Sequence, residues 1–392
     1  MAGTTTNFSI PYPSVTDYVT DGATDMRLLA EKVDAVMSSG TPARNLLING
    51  AMQVSQRSAV GTAVAGITTT GYYTADRWYS QLGTLGTWTQ TTIADAPTGS
   101  GFRNSIKMAC TTIDTPSAGD YCVVTQRIEG QNLQALRKGT ASAQTVTLSF
   151  WVKCFQTGIY IAEIADITNS RQVSKTYTIT ASGTWQYVSI VFPADVTGTI
   201  ANDNASGLEI NFWLAAGSNY TSGTLQTTWA TIVNANRVVG QTNTASSTSN
   251  YWQMTGAQLT VGSVSVPFEF KSFADDLRDC QRYYEKSYIQ GESVGTNTAN
   301  GLVLAQGSTG GDSYFYTQLH YKVTKRTKDV NATFWNSSGA TNQWSWSRSG
   351  ATGNTTPSIQ YQADNWLQIY ILASAAWVSM QAVGHFAVSA EL

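Results

Sequence analysis

Hydrophobic and polar residues alternate with a period of two along most of the chain between residues 45 and 271. One run places apolar residues at every second position, namely Val146, Leu148, Phe150, Val152 and Cys154. Because successive side chains of a strand point to opposite faces, this run predicts a β-strand with one covered face. Similar runs occupy residues 185–192, 208–214 and 253–261, between clusters of Gly, Ser, Thr, Asn and Asp. Many short strands without a fixed repeat predict two packed antiparallel sheets of jelly-roll type.

The first forty residues carry a helical pattern instead. Residues 25–37 follow the capping stretch 21–24 and place apolar residues at steps of three and four: Met26, Leu29, Val33 and Val36. This spacing predicts a short helix whose apolar stripe faces a partner helix in an oligomer, which we favour. It also fits a helix lying on the next domain of its own chain. With barely two heptads, the helix would be marginal if it packed against nothing.

A second helical pattern begins near residue 273. Its apolar residues again recur at steps of three and four, namely Phe273, Leu277, Cys280, Tyr284 and Tyr288. Acidic and basic residues at spacings of three can pair along the opposite, solvated side. The pattern predicts a linker helix over residues 273–290 at a domain boundary.

The remaining hundred residues return to strand patterns, at residues 314–320, 330–335, 343–347, 366–372 and 385–392. They predict a second β-sandwich at the C-terminal end of the chain. The fold class expected for the whole chain is therefore all-β. Its expected units are an attachment segment with a short helix (1–44), a jelly-roll domain (45–272), a linker helix (273–290) and a C-terminal tip domain (291–392).

Charge narrows the classes of function. Only 12% of the 392 residues are charged, and 23 Lys and Arg face 25 Asp and Glu. Such a chain lacks the basic stripe that neutralises phosphates, which argues against nucleic acid as the ligand. The N-terminus does not resemble a signal peptide and no run suits a membrane span, so we expect folding in the cytoplasm without membrane insertion. The four cysteines are expected to be buried small hydrophobes.

Catalytic and metal motifs give little support for an enzyme. The chain has two histidines, His320 and His385, and neither lies near a nucleophile turn. A glycoside hydrolase needs only two carboxylates, for which the candidates are Glu163, Asp166, Asp203, Glu209 and Asp364. Residues 202–204 offer oxygen ligands for calcium, although turns use Asn and Asp more often for backbone reasons. We expect no catalytic residues, no metal and no cofactor.

The remaining signature is an aromatic and amide-rich C-terminal region. Trp344 and Trp346 lie two residues apart and therefore on one strand face. Flat sugar faces stack on aromatic rings while sugar hydroxyls pair with amides and hydroxyls, so this composition suits an uncharged glycan. The predicted glycan-binding residues are Trp335, Trp344, Trp346, Tyr314, Tyr316 and Tyr361. An acidic polysaccharide would instead use the basic stretch 322–328, which is equally explained as protection of a strand edge.

Several stretches together resemble a module of bacteriophage tail-fibre and related virion proteins. They are residues 12–23 (YPSVTDYVTDGA), 45–57 (NLLINGAMQVSQR), 73–78 (YTADRW), 254–262 (MTGAQLTVG), 267–270 (PFEF) and 279–284 (DCQRYY). Within residues 73–78 the Asp-Arg-Trp triplet is interpreted as a core and turn element. The matched stretches cover about an eighth of the chain and their order is more specific than any one of them.

This resemblance implies a jelly roll similar to carbohydrate-binding modules, carried on a homotrimeric fibre in the virion. It also implies that the N-terminal segment docks to the phage tail or baseplate and that the C-terminal tip recognises host cell-surface polysaccharide. Unlike long fibres, the chain has no collagen-like or heptad shaft. A non-adhesive fibre adaptor, a capsid-decorating subunit and a glycan depolymerase remain as alternatives.

Overall fold

The computed structural model describes residues 3–4, 11–12, 19–38, 44–309, 314–348, 351–372 and 377–392. Near the N-terminus the short strands β1 (Gly3–Thr4) and β2 (Pro11–Tyr12) pair antiparallel, and helix α1 spans Val19–Ser38. The predicted N-terminal helix is confirmed, and it begins earlier than Asp25. Among the described helices, none combines the length and apolar character needed to cross a membrane.

The central region is built from short strands joined by polar loops, as the alternation predicts. The strands are β3 (Val64–Ile67), β4 (Gly71–Tyr72), β5 (Tyr79–Gly83), β6 (Thr87–Ile93), β7 (Ser105–Thr112), β8 (Tyr121–Glu129), β9 (Val146–Cys154), β10 (Gly158–Asp166), β11 (Arg171–Ile179), β12 (Gln186–Phe192), β13 (Ser206–Ala216), β14 (Ala230–Thr231) and β15 (Tyr251–Val261). A one-turn helix, α2 (Ser218–Thr221), follows β13.

These strands form two antiparallel sheets. The seven-stranded sheet has the order β14-β11-β10-β13-β8-β5-β4, and the six-stranded sheet has the order β12-β9-β15-β7-β6-β3. The chain crosses between the sheets repeatedly, for example from β7 to β8 and from β8 to β9. Neighbours in each sheet are therefore distant in sequence, which is the connectivity of a jelly-roll sandwich. The predicted central fold is confirmed.

Large apolar side chains from both sheets meet in the sandwich core. Phe150 of β9 packs edge-to-face on Phe212 of β13, with 5.0 Å between ring centroids. Trp252 of β15 donates its indole N–H to the Tyr177 hydroxyl of β11 at 3.2 Å. A bulge in β15 relies on Gly256, whose φ of +63° is strained for other residues. The alternating run of β9 is buried as predicted, and all four cysteines are buried and free.

The expected linker helix is shorter than its pattern suggests. Helix α3 spans Phe273–Gln281, and the Ser272 hydroxyl caps it by accepting the Asp275 N–H at 3.2 Å. Strand β16 (Tyr284–Lys286) follows almost at once. Tyr284 keeps the helical spacing of the sequence, but its backbone pairs in a sheet. The structure therefore corrects the helical assignment beyond Gln281.

The C-terminal region forms the second set of packed sheets. Its strands are β17 (Val303–Thr309), β18 (Tyr314–His320), β19 (Asn331–Trp335), β20 (Trp344–Arg348), β21 (Ala351–Thr355), β22 (Ser358–Gln362), β23 (Trp366–Leu372) and β24 (Trp377–Ser389). The long strand β24 pairs with β16, β17, β19 and β20, and β21 extends that sheet beyond β20. A separate three-stranded sheet has the order β18-β23-β22. A second apolar core fills the space between them, and the predicted C-terminal sandwich is confirmed.

Buried ion pairs join the end of the chain to the central sandwich. The Glu391 carboxylate accepts hydrogen bonds from Arg57, at 3.0 Å, and from Arg77. The two guanidinium groups also lie over the rings of Tyr284 and Tyr283, 3.7 and 3.5 Å from the ring centroids. Because Arg77 belongs to the Asp-Arg-Trp triplet, burial of this triplet agrees with its interpretation as a structural element.

Candidate functional site

The structure buries two of the tryptophans assigned to glycan binding. Trp344 is fully buried, packs edge-on against Phe334 and donates its indole N–H to the His385 carbonyl at 3.1 Å. Trp335 is 8% exposed and packs against Tyr288. A buried ring has no face open to a sugar, so the structure corrects the predicted role of these two residues. Trp344 belongs to the C-terminal core, and Trp335 belongs to a small neighbouring cluster with Tyr284, Tyr288 and Ala387.

Trp346 is half-buried, and Tyr314 lies at the start of a strand. Trp346 shares its strand face with Trp344, as predicted, but that face is directed toward the core and Trp346 is half-buried against it. Its indole lies over Gly353, where a Cβ would approach within 2.6 Å of the ring. Tyr314 begins β18, and its side chain lies outside the described residues.

Tyr316 and Tyr361 lie on an open sheet surface. Tyr316 of β18 is 48% exposed, and Tyr361 of β22 is 59% exposed. Both strands flank β23 in the three-stranded sheet, whose opposite side carries Leu319, Leu367 and Ile369 into the core. We call the outward side the tyrosine face, defined by Tyr316, Gln318, His320, Ser358, Tyr361, Trp366, Gln368 and Tyr370.

Strand register arranges the tyrosine face in rows. Tyr316 lies beside Tyr370, which lies beside Ser358, and the two tyrosine ring centroids are 6.2 Å apart. The next row is Gln318, Gln368 and Tyr361. Residues two apart on a strand are about 7 Å apart, so aromatic and amide groups alternate at close intervals in both directions. This gives stacking surfaces with hydrogen-bonding groups between them.

The chemistry of the tyrosine face is uncharged. None of its eight positions is Asp, Glu, Lys or Arg. Each glutamine offers both donors and acceptors, and each tyrosine hydroxyl can do the same. Aromatic rings with a polar tip suit a ligand that has apolar C–H faces and many hydroxyls.

Six of the eight residues of this face were missed as site residues by the sequence prediction, and three of the six lie on β23: Trp366, Gln368 and Tyr370. Their signal was present in residues 366–372, where they alternate with Leu367, Ile369 and Ile371. The alternation shows that they share one face. Only the position of the core shows that this shared face is the open one.

The carboxylates considered for hydrolysis have structural partners. Glu163 is fully buried and receives two hydrogen bonds from Arg237, at 2.7 and 2.8 Å. Asp166 is likewise buried and pairs with Lys138 at 2.5 Å. Glu209 pairs with Arg127 at 2.7 Å. The pairs of Glu163 and Glu209 lie on the outer side of the seven-stranded sheet, because both residues alternate with core residues of β10 and β13. The Lys138–Asp166 pair lies at the end of β10.

The two remaining acidic candidates lie in loops. The Asp203 carboxylate accepts the Ala205 N–H at 3.0 Å, which is a turn interaction. Asp364 is exposed, and its carbonyl oxygen accepts the Lys325 N–H. In residues 202–204, the calcium candidate, the Asn204 amide donates to the Arg326 carbonyl. Over the described ranges, no three His, Cys, Asp or Glu side chains cluster in a way that could hold a metal ion.

The basic stretch 322–328 is largely structural. Lys325 is buried, pairing with Glu285 at 2.7 Å and donating to the Gln281 carbonyl at 2.5 Å. Arg326 donates to the carbonyls of Ala390 and Glu391 at 2.8 and 2.9 Å. These contacts occupy two of the four cations and connect α3 to the end of the chain.

Helix α1 exposes the apolar stripe expected of an oligomerisation or docking helix. Met26 is 70% exposed, and Leu29 and Val33 are also exposed. The Val36 side chain lies outside the described residues. A single chain therefore leaves at least three of the four predicted seam residues in solvent.

No protein-family model and no curated protein matches the chain. Among solved structures, the enzymatically active domain of bacteriophage CBA120 tailspike protein 4 is 17% identical, with 55% of this chain and 21% of that chain covered, at a TM-score of 0.27.

Two carbohydrate-binding modules are also similar. TmCBM61, solved with β-1,4-galactotriose, is 11% identical over 56% of this chain and 99% of that chain, with a TM-score of 0.28. The family 11 module from Clostridium thermocellum, solved with a mixed-linked tetrasaccharide, is 14% identical over 53% and 100%, with a TM-score of 0.27. The strand pairing of this chain itself defines the two-sheet sandwich.

Proposed function

We propose that this protein is a phage tail-fibre-type structural protein that attaches the virion to a host surface glycan through the tyrosine face. The observation that carries the proposal is an open sheet surface with four aromatic rings, two glutamines and no charged side chain. Stacking and amide hydrogen bonds are the interactions by which a protein recognises an uncharged sugar polymer. Recognition of this kind needs no cofactor and no metal, and we propose that it occurs without cleavage of the glycan.

Attachment to a repetitive polymer would be strengthened by a symmetric assembly. Three weak sites on one homotrimer raise the local concentration of the second and third binding events, so that avidity exceeds the affinity of each site. The exposed stripe of α1 supports this arrangement, because water-exposed Met26, Leu29 and Val33 would be buried between copies. We place the N-terminal segment at the phage tail or baseplate, after synthesis in the host cytoplasm.

A glycan array with purified full-length protein tests the proposal. The variants Tyr316→Ala and Tyr361→Ala should each weaken binding of a neutral oligosaccharide about tenfold, the equivalent of about 1.4 kcal/mol. Their melting temperatures should stay unchanged because both rings are exposed. Phe270→Ala is the matched control, since Phe270 is an exposed aromatic residue on the sandwich, 54% accessible.

The alternatives give different results in the same experiments. Absence of binding to any oligosaccharide would favour a non-adhesive adaptor or decorating subunit. New reducing ends after incubation with host polysaccharide would favour a depolymerase. Removal of residues 1–40 should leave folded protein that no longer assembles onto particles, and unchanged incorporation would contradict the docking role of the N-terminal segment.

A further inference from the structure

Basic and aromatic side chains lie together on the outer side of the six-stranded sheet, which is a different sheet from the one that carries the tyrosine face. Lys153 of β9, Gln253 of β15 and Lys107 of β7 lie side by side on three adjacent strands. With neighbouring strands about 4.8 Å apart, the two lysine backbones are about 10 Å from each other. Their ammonium groups therefore form a pair of cations on one sheet surface.

Aromatic rings flank this pair on both sides. Lys107 lies 4.3 Å from the Tyr251 ring centroid, and Lys153 lies 5.0 Å from that of Trp185. Further along β9 and β12, Trp151 and Tyr187 are cross-strand neighbours with ring centroids 5.4 Å apart. Tyr187 is 48% exposed, so this surface is open to a ligand.

In the part of the chain that the structure describes, one of the two lysines on this surface has an ion-pair partner and the other does not. Lys153 pairs with Asp95, which also accepts a hydrogen bond from Gln253 at 3.0 Å. Within the described residues, the Lys107 ammonium has neither an ion pair nor a hydrogen bond. Partial burial and repulsion from Lys153 lower the pKa of Lys107, although Asp95 attracts its ammonium group. An anion placed beside Lys107 would favour its charged form. An unpaired cation among aromatic rings has the chemistry to bind a ring-shaped ligand that carries a negative group.

We infer that this surface, formed by Lys107, Lys153, Tyr251, Trp185, Trp151 and Tyr187, binds an acidic glycan whose sugar carboxylate pairs with Lys107. The rings provide stacking for the sugar, and Lys107 provides the charge selection that the tyrosine face lacks. The inference goes beyond the proposed function, because it concerns a different sheet and a different class of sugar. A single-stranded nucleic acid also combines rings and charge, but the near-neutral chain offers few cations for its phosphates.

Titration calorimetry with the full-length protein tests the inference. The probes are a galacturonic acid tetrasaccharide and its carboxyl-reduced counterpart, which has the same rings without charge. We expect the acidic probe to bind at least about tenfold more tightly and to weaken as salt rises. Lys107→Gln should abolish most of this preference, whereas Lys175→Gln, a lysine on the other sheet, should not.

Two further variants separate this site from the tyrosine face. Trp185→Phe keeps a ring beside Lys153 and should reduce affinity only slightly, while Tyr187→Ala should weaken both probes. Tyr316→Ala should leave binding of the acidic probe unaffected. If Tyr316→Ala still binds neutral oligosaccharides normally on the glycan array, that result contradicts the proposed function and not this inference. Equal affinity for the two tetrasaccharides, loss of acidic-probe binding in Tyr316→Ala, or tighter binding of an oligothymidine would each overturn the inference.

Discussion

The contact between Glu391 and two arginines gives the sharpest stability prediction. The substitution Glu391→Gln keeps the size of the side chain but removes its charge. Arg57 and Arg77, whose side chains are 11% and 1% exposed, then lose the carboxylate that pairs with both. Burial opposes a charged guanidinium, and attraction to Glu391 raises the pKa of Arg77, so neither arginine can lose its charge to relieve the loss.

The contacts that Arg57 and Arg77 keep in Glu391→Gln set the size of the expected loss in unfolding free energy. Removal of one partner from a buried ion pair costs about 3–5 kcal/mol. Arg57 keeps a weaker contact with Asp76 at 3.7 Å, and Arg77 keeps its hydrogen bond to the Arg127 carbonyl at 2.7 Å. We therefore expect Glu391→Gln to lower the free energy of unfolding by about 2–4 kcal/mol, a large part of the about 5–15 kcal/mol that stabilises an ordinary domain.

Urea unfolding followed by tryptophan fluorescence measures this loss, because both cores contain buried indoles. Asp329→Asn is the matched control, since the exposed pair Lys328–Asp329 should contribute nothing measurable. If Glu391→Gln unfolds at the same urea concentration as the control, the ion pair does not stabilise the junction. A shift confined to one of two unfolding transitions would show that the junction stabilises one core only.

Three further outcomes follow from burial. Trp344→Ala should cost about 3–5 kcal/mol and lower the melting temperature, whereas a role at the surface would leave stability unchanged. Gly384→Ala should also destabilise, because its Cβ would lie 2.1 Å from Trp344, and thermal unfolding would show this. Burial raises the pKa of Asp276 from 3.8 to about 6, so the folded chain binds a proton at this carboxyl more tightly than the unfolded chain does. Protonation of Asp276 therefore stabilises the fold fully below about pH 4, and this stabilisation is lost as the pH rises through 6. Asp276→Asn should therefore melt higher than the parent at pH 8 and equally at pH 3.5, and the opposite order at pH 8 would contradict the assignment.

The period-two alternation determined most of the strands without any structure. Residues 208–214 and 366–372 lie within β13 and β23. In both strands the side that faces the core carries apolar residues at every second position. The N-terminal and post-sandwich helices also followed from local spacing and caps. These features depend on neighbours within a few residues, which the sequence displays directly.

Tertiary structure alone decided which faces remain open. Alternation showed that Trp344 and Trp346 share a face, but the partners that cover Trp344, Phe334 of β19 and the His385 carbonyl of β24, are distant along the chain. The same limit hid the tyrosine face, since Trp366 and Tyr370 look equally suited to a core. Periodicity assigns residues to one side of a strand, whereas burial of that side depends on a second sheet whose position comes from long-range pairing.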